Sequence, residues 1–186
     1  MDTENQNSEN KQKNWKKELL EWVLMLVCTV AAVVVFNSFV VVNMKIPSGS
    51  MENGIQVGDR IFANRLAYLK DEPERMDIIV FRYPDDRSQL FIKRIIGLPG
   101  ETVNIVDGKV YINDSETPLD DSFIKEPMRG SYGPFEVPEG HYFVLGDNRN
   151  KSHDSRKWEN KYVPEEDILG KAGFRYWPLN KIGFVK

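Results

Sequence analysis

Hydrophobic positions along this chain fall into two regimes. From residue 22 to residue 42 almost every side chain is apolar, none is charged, and Thr29, Asn37 and Ser38 are the strongly polar interruptions. A helix of about 20 such residues crosses roughly 30 Å of hydrocarbon. In lipid the backbone must pair internally, so even this valine-rich run is predicted to be helical. Beyond it the helical period disappears. Short runs rich in β-branched and aromatic residues recur at 60–63, 78–83, 90–96, 102–106, 109–112, 141–145 and 170–176, and these read as strands. Asp107-Gly108 between alternating apolar positions predicts a hairpin with a type I′ turn. Leu98-Pro99-Gly100 supplies a second turn, with proline fixing φ and glycine accepting φ > 0. Between 113 and 138 the alternation weakens among Pro118, Pro127, Pro134 and Pro138, which reads as a loop-rich insertion. The expected architecture is an all-β domain on a single N-terminal transmembrane helix.

The expected divisions are a tail over 1–17, an anchor over 18–43 and a β-rich domain over 44–186 that carries the insertion. Two alternatives compete for the apolar segment. A buried core helix is rarely apolar all round for so long. A cleaved signal peptide has a shorter apolar core, about 7–15 residues, although Ser48-Gly49-Ser50 meets its small-x-small cleavage rule. Length favours an uncleaved anchor. Lys11, Lys13, Lys16 and Lys17 crowd the amino-terminal flank, while Lys45 alone lies close on the other side. That asymmetry predicts a cytoplasmic N-terminus and an extracytoplasmic β domain, hence a single-pass protein of the cell membrane.

Composition changes this picture in a few places only. With 41% hydrophobic and 28% charged residues, the chain is neither disordered nor uniformly apolar. A net charge of −3 offers no basic face of the kind nucleic acid requires. The one cysteine, Cys28, lies in the apolar segment, so neither an intramolecular disulfide nor a cysteine-based zinc site can form. Such a chain suggests a reducing compartment, but a domain of this size can bury its core without disulfides. An extracytoplasmic location stays consistent.

Three stretches carry candidate chemistry. Just past the apolar segment stands Ile46-Pro47-Ser48-Gly49-Ser50-Met51. Proline and glycine around two serines suit a tight turn that exposes a hydroxyl beside backbone N–H donors, as an oxyanion hole requires. Taken alone, such a stretch is an ordinary linker. A serine nucleophile needs a base, and the chain has two histidines, His141 and His153. Ser152-His153-Asp154 has the composition of a triad, but three consecutive side chains cannot converge. His141 opens a predicted strand without an evident carboxylate partner.

A lysine can replace histidine when burial makes it neutral. Lys93 is the lysine set in an apolar strand, within Leu-Phe-Ile-Lys-Arg-Ile-Ile. Alternation puts it on one face with Phe91 and Ile95, and puts Arg94 on the other with Ile92 and Ile96. The pattern does not say which face is buried. Arginine stays charged while lysine readily loses its proton when desolvated, so chemistry favours the lysine face; a snorkelling lysine on an edge strand is the bland alternative. The third stretch runs from Gly146-Asp147-Asn148-Arg149 to Ser152, Asp154, Ser155 and Arg156. By itself it is a solvated loop with Asx turns. Asp154 and Arg156 could form an ion pair, and Ser152 could hydrogen-bond an active-site group.

Together and in this order, Pro47-Ser48-Gly49-Ser50-Met51, Lys93-Arg94-Ile95-Ile96-Gly97-Leu98-Pro99-Gly100-Glu101 and the third stretch resemble the motifs of bacterial type I signal peptidases. The resemblance runs from the anchor almost to the C-terminus. It implies a signal-peptidase-like β fold, with Ser50 as nucleophile and Lys93 as general base. It makes Ser48 the hydroxyl that completes an oxyanion hole with the Ser50 N–H, Ser152 the serine that orients the lysine, and Asp154 and Arg156 a structural ion pair. It also implies cleavage after small-x-small sequences in secretory preproteins emerging from translocation, at the lipid surface and without a metal or organic cofactor. Two departures stand out. Where the family commonly has a variable residue and then Pro-Thr after Ser-Met, this chain has Glu52-Asn53-Gly54; where it has Arg-Gly-Asp before a strand, this chain has Arg75-Met76-Asp77.

Two rivals remain. A self-cleaving serine–lysine protease of the repressor type carries a DNA-binding or soluble amino-terminal part, and here a membrane helix takes that place. A membrane-tethered relative that holds precursors without cutting them would be expected to lose the serine or the lysine, and both are present.

Overall fold

In the computed structural model, which describes residues 2–185 and the side chains of 15–185, the chain divides after Phe39 into two units. The first is one helix, α1 (Asp2–Phe39). Its portion Trp15–Phe39 is long and apolar enough to cross a membrane, the single such helix among the described residues. Two of its polar residues turn inward on the helix itself. Thr29 Oγ1 donates to the Met25 carbonyl at 2.8 Å and Asn37 Nδ2 to the Val33 carbonyl at 3.0 Å. Each thus finds an acceptor for one of its donors within the helix, which lowers the cost of a place in hydrocarbon.

The helix ends earlier than the expected boundary at residue 43. Val41 and Val42 belong to β1 (Val41–Lys45), which pairs antiparallel with β2 (Arg60–Asn64). A run of valines suits a strand as well as a membrane helix, and here the partner strand decides. Val42 and Met44 face the core while Asn43 and Lys45 face out, the two-residue period of a half-buried strand.

The remaining strands are β3 (Ile78–Tyr83), β4 (Asp86–Gly97), β5 (Thr102–Val106), β6 (Lys109–Ile112), β7 (Tyr132–Glu136), β8 (His141–Leu145), β9 (Val163–Pro164), β10 (Ile168–Trp177) and β11 (Gly183–Phe184). One sheet has the order β1-β2-β10-β3-β4-β8-β9, with β11 added on β10; a three-stranded sheet has the order β6-β5-β7. Every pairing is antiparallel. The expected hairpin is present: Val106 faces Lys109 across Asp107 and Gly108, both at positive φ (47° and 78°), as a type I′ turn demands. Only short 3-10 turns supply helical backbone after residue 40 among the described residues.

Strand β7 lies within the loop-rich stretch 113–138 and was not among the expected strands. Gly133 and Pro134 lie inside it, and both residue types are rare in central strands. At the edge of the three-stranded sheet the missing proline N–H costs no ladder bond, so the strand forms where its sequence argues against one.

Three apolar clusters hold the domain. Val42, Met44, Ile46, Met51, Ile55 and Ile61 join Val80 and Ile92 in one. Ile79, Phe81, Ile95, Val144 and Trp158 form a second across β3, β4 and β8. Ile96, Val103, Ile105, Val110, Phe143 and Leu145 form the third, which joins the two sheets. Strand β4 contributes to all three, and its residues 92–97 are buried on both faces. That placement in the middle of the domain is what makes a polar residue in β4 chemically unusual.

Candidate active site

The first serine-bearing stretch is a pinned turn, not a linker. Ile46, Met51 and Ile55 are fully buried around it, and complete burial of such a side chain is worth roughly 2 kcal/mol. Ile46 also exchanges backbone hydrogen bonds with Asp59 and Gly58 at 2.9 Å. Between these anchors Gly49–Met51 form a 3-10 turn that carries Ser50, itself 6% exposed.

Lys93 reaches this turn from β4. Its Nζ lies 2.7 Å from Ser50 Oγ and donates to the Ile92 carbonyl at 3.0 Å, with the residue 3% exposed. Burial pushes the amine down from 10.5 to about 8, against the pull of Asp154 and Asp147, whose charges favour the protonated form. A base near 8 has an appreciable neutral fraction at neutral pH, which an ordinary lysine lacks. Phe91, on the same strand face, sets its ring 5.3 Å from the amine.

The loop after β8 closes over the pair. Asn148 donates its backbone N–H to the Ser50 carbonyl and its Nδ2 to the Gly49 carbonyl, both at 3.0 Å. Gly146 makes the approach possible: a β-carbon there would stand 2.5 Å from the Ser50 carbonyl oxygen and 2.2 Å from Ser152 Oγ. Ser152 Oγ is buried and has no hydrogen-bond partner among the described residues. Ser48 is exposed, its Oγ 3.5 Å from Ser50 Oγ. Asp154 and Arg156 form a buried bidentate pair with both contacts at 2.8 Å, and Asp154 also accepts from the Gly146 N–H. The six site residues expected from the sequence thus gather around one turn and one loop.

Among the described residues neither histidine hydrogen-bonds Ser50 or Lys93. His141 Nδ1 lies 2.9 Å from the Glu139 carbonyl. His153 Nε2 lies 3.2 Å from the Tyr83 hydroxyl, although His153 does border the same cleft as Ser50 and Lys93. That cleft measures about 330 Å³, and Met44, Leu90, Phe91 and Ile92 give it an apolar wall.

Burial of Lys93 does not expose Arg94, because both faces of β4 are covered here. Arg94 is matched instead by Asp147, with Nε and Nη2 each 2.8 Å from a carboxylate oxygen. Its Nη1 donates to the Met76 carbonyl at 2.8 Å. Met76 holds a left-handed φ of 75°, where a glycine would be unstrained. Sequence reasoning missed this pair, and it missed the bidentate contacts of Arg149 with Asp121 and of Arg75 with Glu101. Each joins residues more than 20 positions apart, and no local signal announces it.

Comparison with known proteins agrees with the geometry. The family model described as signal peptidase, peptidase S26, matches residues 19–177. A probable signal peptidase I-2 of Synechocystis is 39% identical, over 96% of this chain and 82% of that protein. A signal peptidase I of Leptolyngbya laminosa is 40% identical, over 89% and 83%. One of Bacillus licheniformis is 32% identical, over 94% and 97%. From a family model spanning most of the chain and relatives covered over most of their own length, this chain belongs to the signal peptidase family of serine proteases, peptidase S26.

Proposed function

We propose that this chain is a membrane-anchored endopeptidase that removes N-terminal signal peptides from secretory preproteins after small-x-small sequences, using Ser50 and Lys93 through an acyl-enzyme. The observation that carries the reading is the 2.7 Å contact between a buried, deprotonation-prone amine and a serine hydroxyl. Neutral Lys93 takes the Ser50 proton as Oγ attacks the scissile carbonyl. The oxyanion is held by the Ser50 N–H and the Ser48 hydroxyl. As the tetrahedral intermediate collapses, Lys93 gives its proton to the leaving amine of the mature protein. It then removes a proton from the water that hydrolyses the ester and returns it to Ser50. Ser152 is assigned to orient the amine; a buried hydroxyl with no hydrogen-bond partner among the described residues is free to take that role. Asp154 and Arg156 hold the loop.

Support for an extended peptide substrate comes from β4. Strand β8 pairs with it only from Arg94 to Gly97, so among the described residues positions 89–92 have no strand partner on that side, and they border the apolar cleft. An extended chain can pair there and set alternate side chains against Met44, Leu90 and Ile92. Short side chains at those positions fit a cleft whose floor is the dyad. Lys11, Lys13, Lys16 and Lys17, ahead of the apolar run, support a cytoplasmic N-terminus, with the β domain and the preproteins on the far side of the membrane.

The test is cleavage of a precursor with a small-x-small signal peptide by full-length protein in detergent, beside Ser50→Ala and Lys93→Ala. Cutting after the small residue by the parent, with both variants at background, is the expected result. A folded parent that binds the precursor without turnover would replace this reading with that of a holding module.

A further inference from the structure

The loop between β6 and β7 contributes no residue to the lining of the cleft that holds Ser50 and Lys93. Four contacts tie its segment Asp121-Ser122-Phe123 to the elements that carry the dyad. Asn53, three residues after the nucleophile, donates its Nδ2 to the Phe123 carbonyl. The Phe123 ring lies 4.5 Å from the Arg94 guanidinium carbon and 5.8 Å from that of Arg149. Asp121 accepts both Arg149 amino groups at 2.7 Å.

Each partner is next to a working residue. Arg94 follows Lys93 on β4. Arg149 follows Asn148, which holds the Ser50 and Gly49 carbonyls. Asn53 lies on the turn of Ser50 itself. Arg94 is 7% exposed and Arg149 1% exposed, so the ring meets two desolvated cations, where a cation–π contact is strongest. Asp147 bridges the two arms, since its carboxylate binds Arg94 and its chain continues into Asn148.

We propose that Phe123 is a positioning residue for the serine–lysine pair: its ring and carbonyl lock the β4 strand, the loop after β8 and the nucleophile turn into one register. The inference rests on the Ser50–Lys93 reading above. Phe123 does not line the cleft, so it acts on the dyad through Arg94, Arg149 and Asn53 and not on the substrate. When the ring is lost, the Ser50 turn loosens against Lys93. Water then reaches an amine that otherwise faces Ser50, Asp147 and Asp154, with Lys151 and His153 at the cleft.

The experiment compares Phe123→Ala, Phe123→Tyr and Asn53→Ala with the parent and Ser50→Ala, as full-length proteins in detergent cutting a small-x-small precursor. For Phe123→Ala we expect kcat to fall by about tenfold or more, as displacement of a reacting pair does, with KM within about twofold. The acid limb of its pH profile should move towards alkaline pH as the amine regains water. Phe123→Tyr, which keeps the ring, should restore both. Loss of folded enzyme would scale the whole profile down without moving its midpoint, so a lower kcat at an unmoved midpoint overturns the proposal, as does parent-like behaviour. If Phe123→Ala does not fold, Asn53→Ala decides, because it cuts only the tie to the Phe123 carbonyl; a parent-like rate and midpoint there also overturn it. Undiminished cleavage by Ser50→Ala would instead sink the dyad reading itself.

Discussion

Replacing Lys93 with methionine should make the protein more stable at neutral pH while abolishing cleavage. Methionine has nearly the length and volume of lysine but no charge to bury. Unfolded, the lysine amine keeps an ordinary 10.5; folded, burial holds it at about 8. At about 1.36 kcal/mol for each factor of ten, the difference amounts to about 3 kcal/mol. Below pH 8 the amine is protonated in both states, and the whole cost of burying its charge is present. Between pH 8 and 10.5 the unfolded chain binds more protons than the folded one, so stability rises with pH. Above 10.5 the amine is neutral in both states and the cost has gone. Against this gain, methionine forfeits the hydrogen bonds to Ser50 and to the Ile92 carbonyl, each worth about 1 kcal/mol. The net expectation is about 1 kcal/mol at pH 7, or about 2–4 °C in Tm for a chain of this size. Scanning calorimetry of both full-length proteins in detergent, in steps from pH 7 to 10.5, reads this directly. A variant no more stable than the parent at pH 7 would refute the reasoning, as would an advantage that does not shrink between pH 8 and 10.5.

Three further outcomes follow from the same geometry. Cleavage measured as kcat/KM should climb roughly tenfold per pH unit below pH 8 and level off above it, because only neutral Lys93 can take the Ser50 proton; a flat profile from pH 6 to 9 would contradict the role given to Lys93. Asp154→Asn leaves the buried Arg156 guanidinium without its counter-charge and should cost about 3–5 kcal/mol in urea unfolding. An unchanged urea midpoint would mean that the pair does not hold the loop. Met76→Gly should stay within about 1 kcal/mol of the parent, since relief of a left-handed φ, about 1–2 kcal/mol, offsets loss of a half-buried side chain. Equilibrium unfolding that shows a loss near 3 kcal/mol, usual for an emptied apolar site, would mean that the positive φ carries no strain.

Much of this fold is legible from local chemistry. The Asp107-Gly108 hairpin, the strands over 78–83, 102–106, 109–112 and 141–145 and the long apolar helix each announce themselves within a dozen residues. Edges and ends are harder to read. Strand β1 hid inside the valine run because nothing local separates a membrane helix from a strand whose partner begins at Arg60. Strand β7 hid because Gly133-Pro134 argues against a strand except at a sheet edge, and edges exist only once the sheet is assembled.

The chemistry of the site divides in the same way. The amino-acid sequence by itself determined which groups were available: a serine between apolar Ile46 and Met51, a lysine in an apolar strand, and a loop dense in hydrogen-bonding residues after the strand over 141–145. Their order along the chain, through its resemblance to a known family, gave each an expected role. Only the tertiary structure decided that Ser50 and Lys93, 43 positions apart, meet at 2.7 Å, and that Asp147 neutralises Arg94 so that β4 can bury both its faces. Only it brought Phe123 between Arg94 and Arg149. Local propensity acts over a few residues, whereas desolvation of a lysine and pairing of a buried arginine depend on what the rest of the chain packs around them.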